Sequence, residues 1–330
     1  MKSYKIWLLK LILPVSYGHI ATAVLLFAVL FPFFSLGTVS TSGVSTPALF
    51  FSMIIAYIIP VFSYITAKVK DALVELRPSL QLDDDDFAEY LRRLDSASLL
   101  QTLSTMFFGL VLGFAHLTLI RGSVGMVFTE FISSLPGLIT VVGTLMVWTV
   151  MTIVTTGLIQ QAALFARLGA NQAQLSLLNK RKLLPFARVS IISSLSIIGA
   201  LVLFPLMSIG DDVSLVESLP GAIATLIPLI VMFIIPIWPV HRRLTVMKEN
   251  ELNAIDEKIS HEIQPSGKVE LELEQLDRLA PLLNYRREIA NVSTWPFDIG
   301  TLTRLSLYLI LPPLTWVGAA LIENLVDSML

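Results

Sequence analysis

No cysteine occurs among the 330 residues. That excludes disulfides, thiolate metal sites and cysteine nucleophiles. Charge is also scarce: 15% of the residues are charged, where soluble domains average about 25%. Alternate loops lack basic residues. Residues 37–46 (GTVSTSGVST) carry no charge, and 208–219 carry Asp211, Asp212 and Glu217 with no Lys or Arg. No long apolar segment holds a central Asp or Glu, which argues against the carboxylate relays of many proton-coupled carriers. There is no phosphate loop, no HExxH helix, no nucleophile elbow and no set of kinase catalytic blocks. An enzyme is therefore not expected, no cofactor or metal is expected, and nucleic acid is not an expected partner.

What is present is apolar sequence, at 55% of the chain. A bilayer core takes about 20 apolar residues per helix. Segments of that kind cover 20–36, 47–67, 99–120, 136–159, 187–207, 220–240 and 301–322. Of the 23 Lys and Arg residues, all except Arg121 fall on one side of the membrane when these segments cross in turn. This is the positive-inside asymmetry. It predicts an all-α polytopic transmembrane bundle of about seven spans in the cytoplasmic membrane. The N-terminus lies in the cytoplasm, as do 68–98, 160–186 and 241–300. The exception sits in 121–135, read as a loop holding Arg121 and Glu130. A cleaved signal peptide is not expected. Residues 4–15 read instead as an interfacial helix, with Lys2, Lys5 and Lys10 at the headgroups. The seventh segment carries Arg304 near its start and Pro312-Pro313 in its middle. It either crosses, or re-enters and leaves by one face. Arg304 either snorkels to the interface or is buried in the bundle.

Three regions follow: a bundle at 1–240, a cytoplasmic hairpin at 241–300, and the last apolar helix at 301–330. In the hairpin, Leu244, Met247, Leu252, Ile255, Ile259 and Ile263 make one apolar stripe. Leu273, Leu276, Leu279, Leu283 and Ile289 make another, and Pro265-Ser266-Gly267 turns between them. Residues 71–95 and 168–186 read as shorter amphipathic helices, with the acidic run Asp83–Asp86 at a helix start. A weak internal repeat pairs LFPFFSLG at 30–37 with LFPLMSIG at 203–210, and SMIIAYIIPVF at 52–62 with PLIVMFIIPIW at 228–238. Parallel repeats of this kind occur in transporters.

Two groups of residues are candidates for function. His116 is the only histidine well inside a span, and an ionisable group there is a functional candidate; the alternative is a neutral histidine bonded to a neighbouring helix. In the fourth span Thr140, Thr144, Thr152 and Thr156 recur at helical spacing around Trp148, with Thr149 and Thr155 nearby. They either line a polar path or pack closely against a neighbour, as small hydroxyl residues do in lipid. Gln160 and Gln161 read as interfacial. The second group, Trp238, His241, Trp295, Pro296, Asp298 and Arg304, lies where chain leaves or re-enters the membrane. Pro296 forces extended backbone on Trp295, and Asp298 is placed to cap the helix that follows. This group reads as a structural junction between the two ends of the hairpin, or as a ligand or partner site.

The stretches PIWPVHRRLTVMKENEL at 236–252 and LLNYRREIANVSTWPFDIGTLTRLSLYLILPP at 282–313 together resemble a widespread group of uncharacterised prokaryotic multispanning membrane proteins. Members leave a span through a Pro-x-Trp-x-x-His-Arg-like stretch and return through an Arg-rich turn and a Trp-Pro-Phe-Asp motif. The likeness covers the last third of the chain. It implies a prokaryotic membrane protein and a hairpin, and it implies no activity. Two functional classes are open. One is a small-solute or ion transporter or channel. The other is a non-catalytic scaffold or sensor in the lipid bilayer, whose 241–300 hairpin binds a protein partner or a second copy of the chain.

Overall fold

A computed structural model of the chain describes residues 3–36, 46–179, 183–203, 227–263 and 273–296, with 300, 303, 307 and 310. Six of its helices are long and apolar enough to cross a membrane. They are α1 (Gly18–Ser35), α2 (Thr46–Leu76), α4 (Leu99–Arg121), α6 (Leu135–Asn171), α7 (Leu184–Leu201) and the stretch Ile227–Ile263. That last stretch comprises α8 (227–234), a turn at 235–237, and α9 (Trp238–Ile263). The shorter helices are α3 (Asp84–Arg93), α5 (Val124–Ser133) and α10 (Leu273–Asn291). The first six spans read from the sequence each fall on one of these helices. Most of the seventh, together with Asp298, Arg304, the 265–267 turn and most of the second LFP motif, lies outside the described residues.

Helix α2 is the hub. Ile54, Phe62, Ile65 and Leu73 are fully buried in it, and α1, α6 and α7 pack around it. Helix α4 packs on α6 at the periphery. The most apolar stretches of α1 and α4 are each only 17% buried, against 67% for α2, so α1 and α4 present their remaining faces to lipid. Pro60 sits inside the unbroken α2, whereas Pro236 sits in the turn between α8 and α9. A proline removes an intrahelical hydrogen bond in both places, but only the second interrupts the helix.

At 31 and 37 residues, α2 and α6 would run about 46 and 55 Å, well past a core of about 30 Å. Their overhanging ends build a compact polar layer at the end of the bundle that carries the basic residues. Strand β1 (Ser3–Lys5) pairs antiparallel with β2 (Ser96–Ser98), Ser3 opposite Ser98. Ile6 N–H donates to Asp95 O at 2.9 Å, and Lys70 pairs with Asp95 at 2.6 Å. Gln161 is only 1% exposed, and its amide donates to Thr66 Oγ1 at 2.9 Å and to Leu94 O at 3.0 Å. It is a core residue, not an interfacial one. Gln81 N–H donates to Gln172 O at 2.9 Å and Gln174 N–H to Ser79 O at 2.8 Å. Arg243 of α9 reaches across to the C-terminal end of α6, donating to Gly169 O at 2.8 Å and, just past the helix, to Ala173 O at 3.0 Å. Cations at a helix C-terminus satisfy orphan acceptors and oppose the negative end of the dipole.

Three local expectations change. Residues 4–15 do not form an interfacial helix: they are β1, a single tight helical turn at Trp7–Lys10, and irregular chain. Pairing with β2 outweighs helix formation, and burial of Leu8 and Leu9 ties the segment to the bundle. The segment after Asn171 leaves the helix and runs non-helically past a bridge between Leu80 and Ala173. The 121–135 loop holds a helix, α5. Around α3 the reading holds: Asp83 occupies the N-cap position and Asp84, Asp85 and Asp86 the first turn, with Arg92 and Arg93 in the last.

Helices α9 and α10 form the expected antiparallel pair. Arg286 grips both Asp256 oxygens, at 2.5 and 3.1 Å, and the Tyr285 hydroxyl donates to Glu251 at 3.0 Å. Lys248 donates to Ala290 O and Val292 O at 2.6 and 2.9 Å. Leu244, Ile255, Leu279 and Ile289 are buried, but Leu283 is exposed. The inward line on α10 instead steps from Leu279 through half-buried Leu282 to Ile289, a spacing of i, i+3 and then seven more.

Candidate functional site

The threonine row of α6 lies along the seam with α4. Four of its hydroxyls are satisfied within their own helix. Thr140 donates to Pro136 O at 3.0 Å, Thr144 to Thr140 O at 2.9 Å, Thr149 to Leu145 O at 2.7 Å and Thr152 to Trp148 O at 2.7 Å. Back-bonding of this kind lets a hydroxyl sit in an apolar medium without an external partner. The facing surface of α4 is made by Gly109 and Gly113, one turn apart. A Cβ on Gly109 would lie 2.7 Å from Thr149 Cα, and one on Gly113 would lie 3.1 Å from both Leu145 Cδ2 and Trp148 Cβ. Only a glycine lets the backbones approach so closely. This is the small-residue packing used between helices in lipid, and it leaves no water column along Thr149 and Thr152.

His116 sits on the same seam. Its ring centroid is 5.3 Å from that of Trp148, tilted by 47°, and the residue is half-buried. Its Nδ1 is buried without a hydrogen-bond partner among the described residues.

Two small cavities flank α6. One, of about 50 Å³, lies between α2, α6 and α7 and is lined by Tyr57, Ile65, Met151, Thr155, Leu158 and Ser196 among others. Its one phenol donates to Ser196 O at 3.0 Å, and the rest of the wall is mostly apolar. The other, about 20 Å³, lies between α4 and α6 and is framed by Gln101, Thr102, Thr105, Thr156 and Gln160. Thr156 thus continues the row at the α4–α6 interface, where it lines a small cavity. Neither cavity is lined by His116, Thr140, Thr144 or Thr152.

At the hairpin base, residues far apart in sequence meet. The rings of His241 and Trp295 stack at 3.9 Å and 12°, and His241 Nδ1 lies 3.3 Å from Thr294 O. Trp238 stands 5.9 Å from His241, and Pro296 is buried beside the stack. Asp298 and Arg304 lie outside the described residues. Sequence reasoning missed the glycines of α4, which only a GxxxG scan of 109–113 would have raised. It also missed the Gln161–Thr66–Leu94 contacts, which have no local signal. Among the described residues no cluster of His, Asp and Glu could hold a metal.

These elements define a helical multi-pass membrane protein. The chain matches no protein-family model, no curated protein and no solved structure.

Proposed function

We propose that the protein is a non-conducting membrane scaffold or sensor, and that its α9–α10 hairpin is the output that engages a protein partner or a second copy of the chain. In this reading the N-terminus and the hairpin are cytoplasmic, as the segregation of basic residues favours. The membrane is the cytoplasmic membrane of a prokaryote, in keeping with the Trp-Pro-Phe-Asp resemblance. No catalytic chemistry is assigned.

One observation carries the proposal over the transporter reading. At Thr149 and Thr152 the most regular polar face of any span is closed against Gly109, and both hydroxyls bond within their own helix. The polar groups that a conduit would need are instead spent on packing. The hairpin supports the second half of the proposal. The His241–Trp295 stack joins its two ends, and Arg243 ties α9 to the end of α6, which gives a partner on the hairpin a contact path to the bundle.

The test uses the natural absence of cysteine. Single cysteines placed along 140–156 in reconstituted protein are exposed to a water-soluble thiol reagent. Inertness at 144, 149 and 152 is the expected result. Modification at every third or fourth position would mark a wet face and restore the conduit.

A further inference from the structure

We infer that α5 is a lipid-embedded interfacial helix, held at the level of the bilayer surface by a neutralising clip between Arg121 and Glu130. The inference concerns the end of the bundle opposite the basic segments and does not depend on whether the protein conducts.

Helix α5 is ten residues long, about 15 Å, half of what crossing a core of about 30 Å demands. Both of its ends are tied to spans. Gly122, at φ 78°, turns the chain out of α4, and Ser134 accepts from Gly137 N at 3.2 Å to start α6. The helix is thereby held where α4 and α6 end. Its inward residue, Val127, is buried against Leu117 of α4 and Val141 of α6, and Phe128 meets Phe114 edge-on at 6.1 Å. The rest of its surface is apolar and uncovered: Met126 is 60% and Ile132 78% exposed, with Val124, Phe128 and Phe131 exposed beside them. Beside it in the chain, Leu119 at the end of α4 and Leu135 and Leu138 at the start of α6 are exposed as well, on two helices apolar and long enough to span a membrane. An exposed apolar helix joined to two such spans has acyl chains as its natural occupant.

The charges agree. Glu130 is the only ionisable residue on α5, and a lone carboxylate would hold the helix in water. It is matched by Arg121, the one basic residue that the topology separates from all the others. Arg121 Nε and Nη2 reach the two Glu130 oxygens at 2.7 and 2.8 Å. This two-pronged geometry is the strong form of an ion pair. It is also supported from behind: a Cβ on Gly137 would fall 2.1 Å from Glu130 O and 2.8 Å from its Cγ, so the glycine makes room for the clip. The single departure from charge segregation is thus cancelled locally.

Spin labels on single cysteines at Phe128 and Ile132, in vesicles of phosphatidylcholine and phosphatidylglycerol, test this. Collisions with oxygen should exceed those with a water-soluble nickel chelate at both sites. Glu130→Gln should shift both labels towards the chelate, because Arg121 is then unpaired. Adding Arg121→Gln to that variant should return them to the oxygen-rich zone, which also shows that the fold survives. Chelate-rich collisions in the unaltered background would mean that α5 lies in water. Low collision rates with both reagents would mean that another part of this chain or a second copy covers it. Either result overturns the lipid assignment, and an unmoved label in Glu130→Gln overturns the clip.

Discussion

Single atoms decide what the α4–α6 seam can be. The hydrogen of Gly109 faces Thr149 Cα at a distance that no side chain fits, whereas a Cβ on Gly125 would meet nothing within 4 Å. Gly109→Leu should therefore destabilise the protein by about 1–3 kcal/mol, the usual range for overpacking, while Gly125→Leu should leave it nearly unchanged. Thermal unfolding in detergent compares the two directly, and equal effects would remove the seam from the argument. Thr152→Val keeps the shape and deletes a hydroxyl that serves its own helix, so its effect should stay within about 1 kcal/mol. At the hairpin base, Trp295→Ala deletes the stacked ring. Aromatic pairs contribute about 0.5–1.5 kcal/mol beyond burial, so hydrogen exchange over 288–296 should quicken without a change in the spans.

Among the elements, the long apolar helices were legible and the short ones were not. Spans reveal themselves because lipid demands an unbroken run of apolar residues. Helix α5 has such residues but only ten of them, and its Glu130 and flanking Gly122-Ser123 read as a loop. Strands β1 and β2 have three residues each, too few for a period, and their pairing is a long-range fact. The C-terminal part of α6 was cut short at Gln160 because hydropathy scores a glutamine as polar, whether or not a buried partner such as Thr66 awaits it. The junction was legible in kind: Trp238, His241 and Trp295 do meet, although their stacking geometry was not foreseeable. For the hairpin, the hydrogen bond from Arg286, and then its charge, hold the Asp256 carboxyl below its ordinary 3.8. A carboxylate depressed in the folded state contributes stability above its unfolded value and loses it as pH falls through the lower, folded one. The α9–α10 pair should accordingly loosen below about pH 4, as read by the distance between spin labels on the two helices. Asp256→Asn should remove that acid step, and a step that persists would place its origin elsewhere.

For the whole molecule, charge is what orients it. A cysteine at Ser42, in the uncharged 37–46 stretch, should react with an impermeant maleimide in intact cells, and one at Ser260 on α9 only after permeabilisation. The opposite pattern would invert the topology. The arrangement also stacks the molecule's tasks by depth: apolar packing in the spans, hydrogen-bonded knots at the basic end, and the hairpin beyond.

The pairing of Ser3 with Ser98 has a consequence for how the protein is made. Strand β1 has no partner until two membrane helices, α1 and α2, have been synthesised and threaded into the bilayer. During that interval the N-terminal residues are an unsatisfied strand waiting at the membrane surface. Their docking then closes a long loop, a step that is slow for entropic reasons. Seating of β1 is thus expected to come late in assembly. A bulky fusion at Met1 should burden assembly after insertion, leaving the number of inserted spans unchanged while the first strand fails to seat.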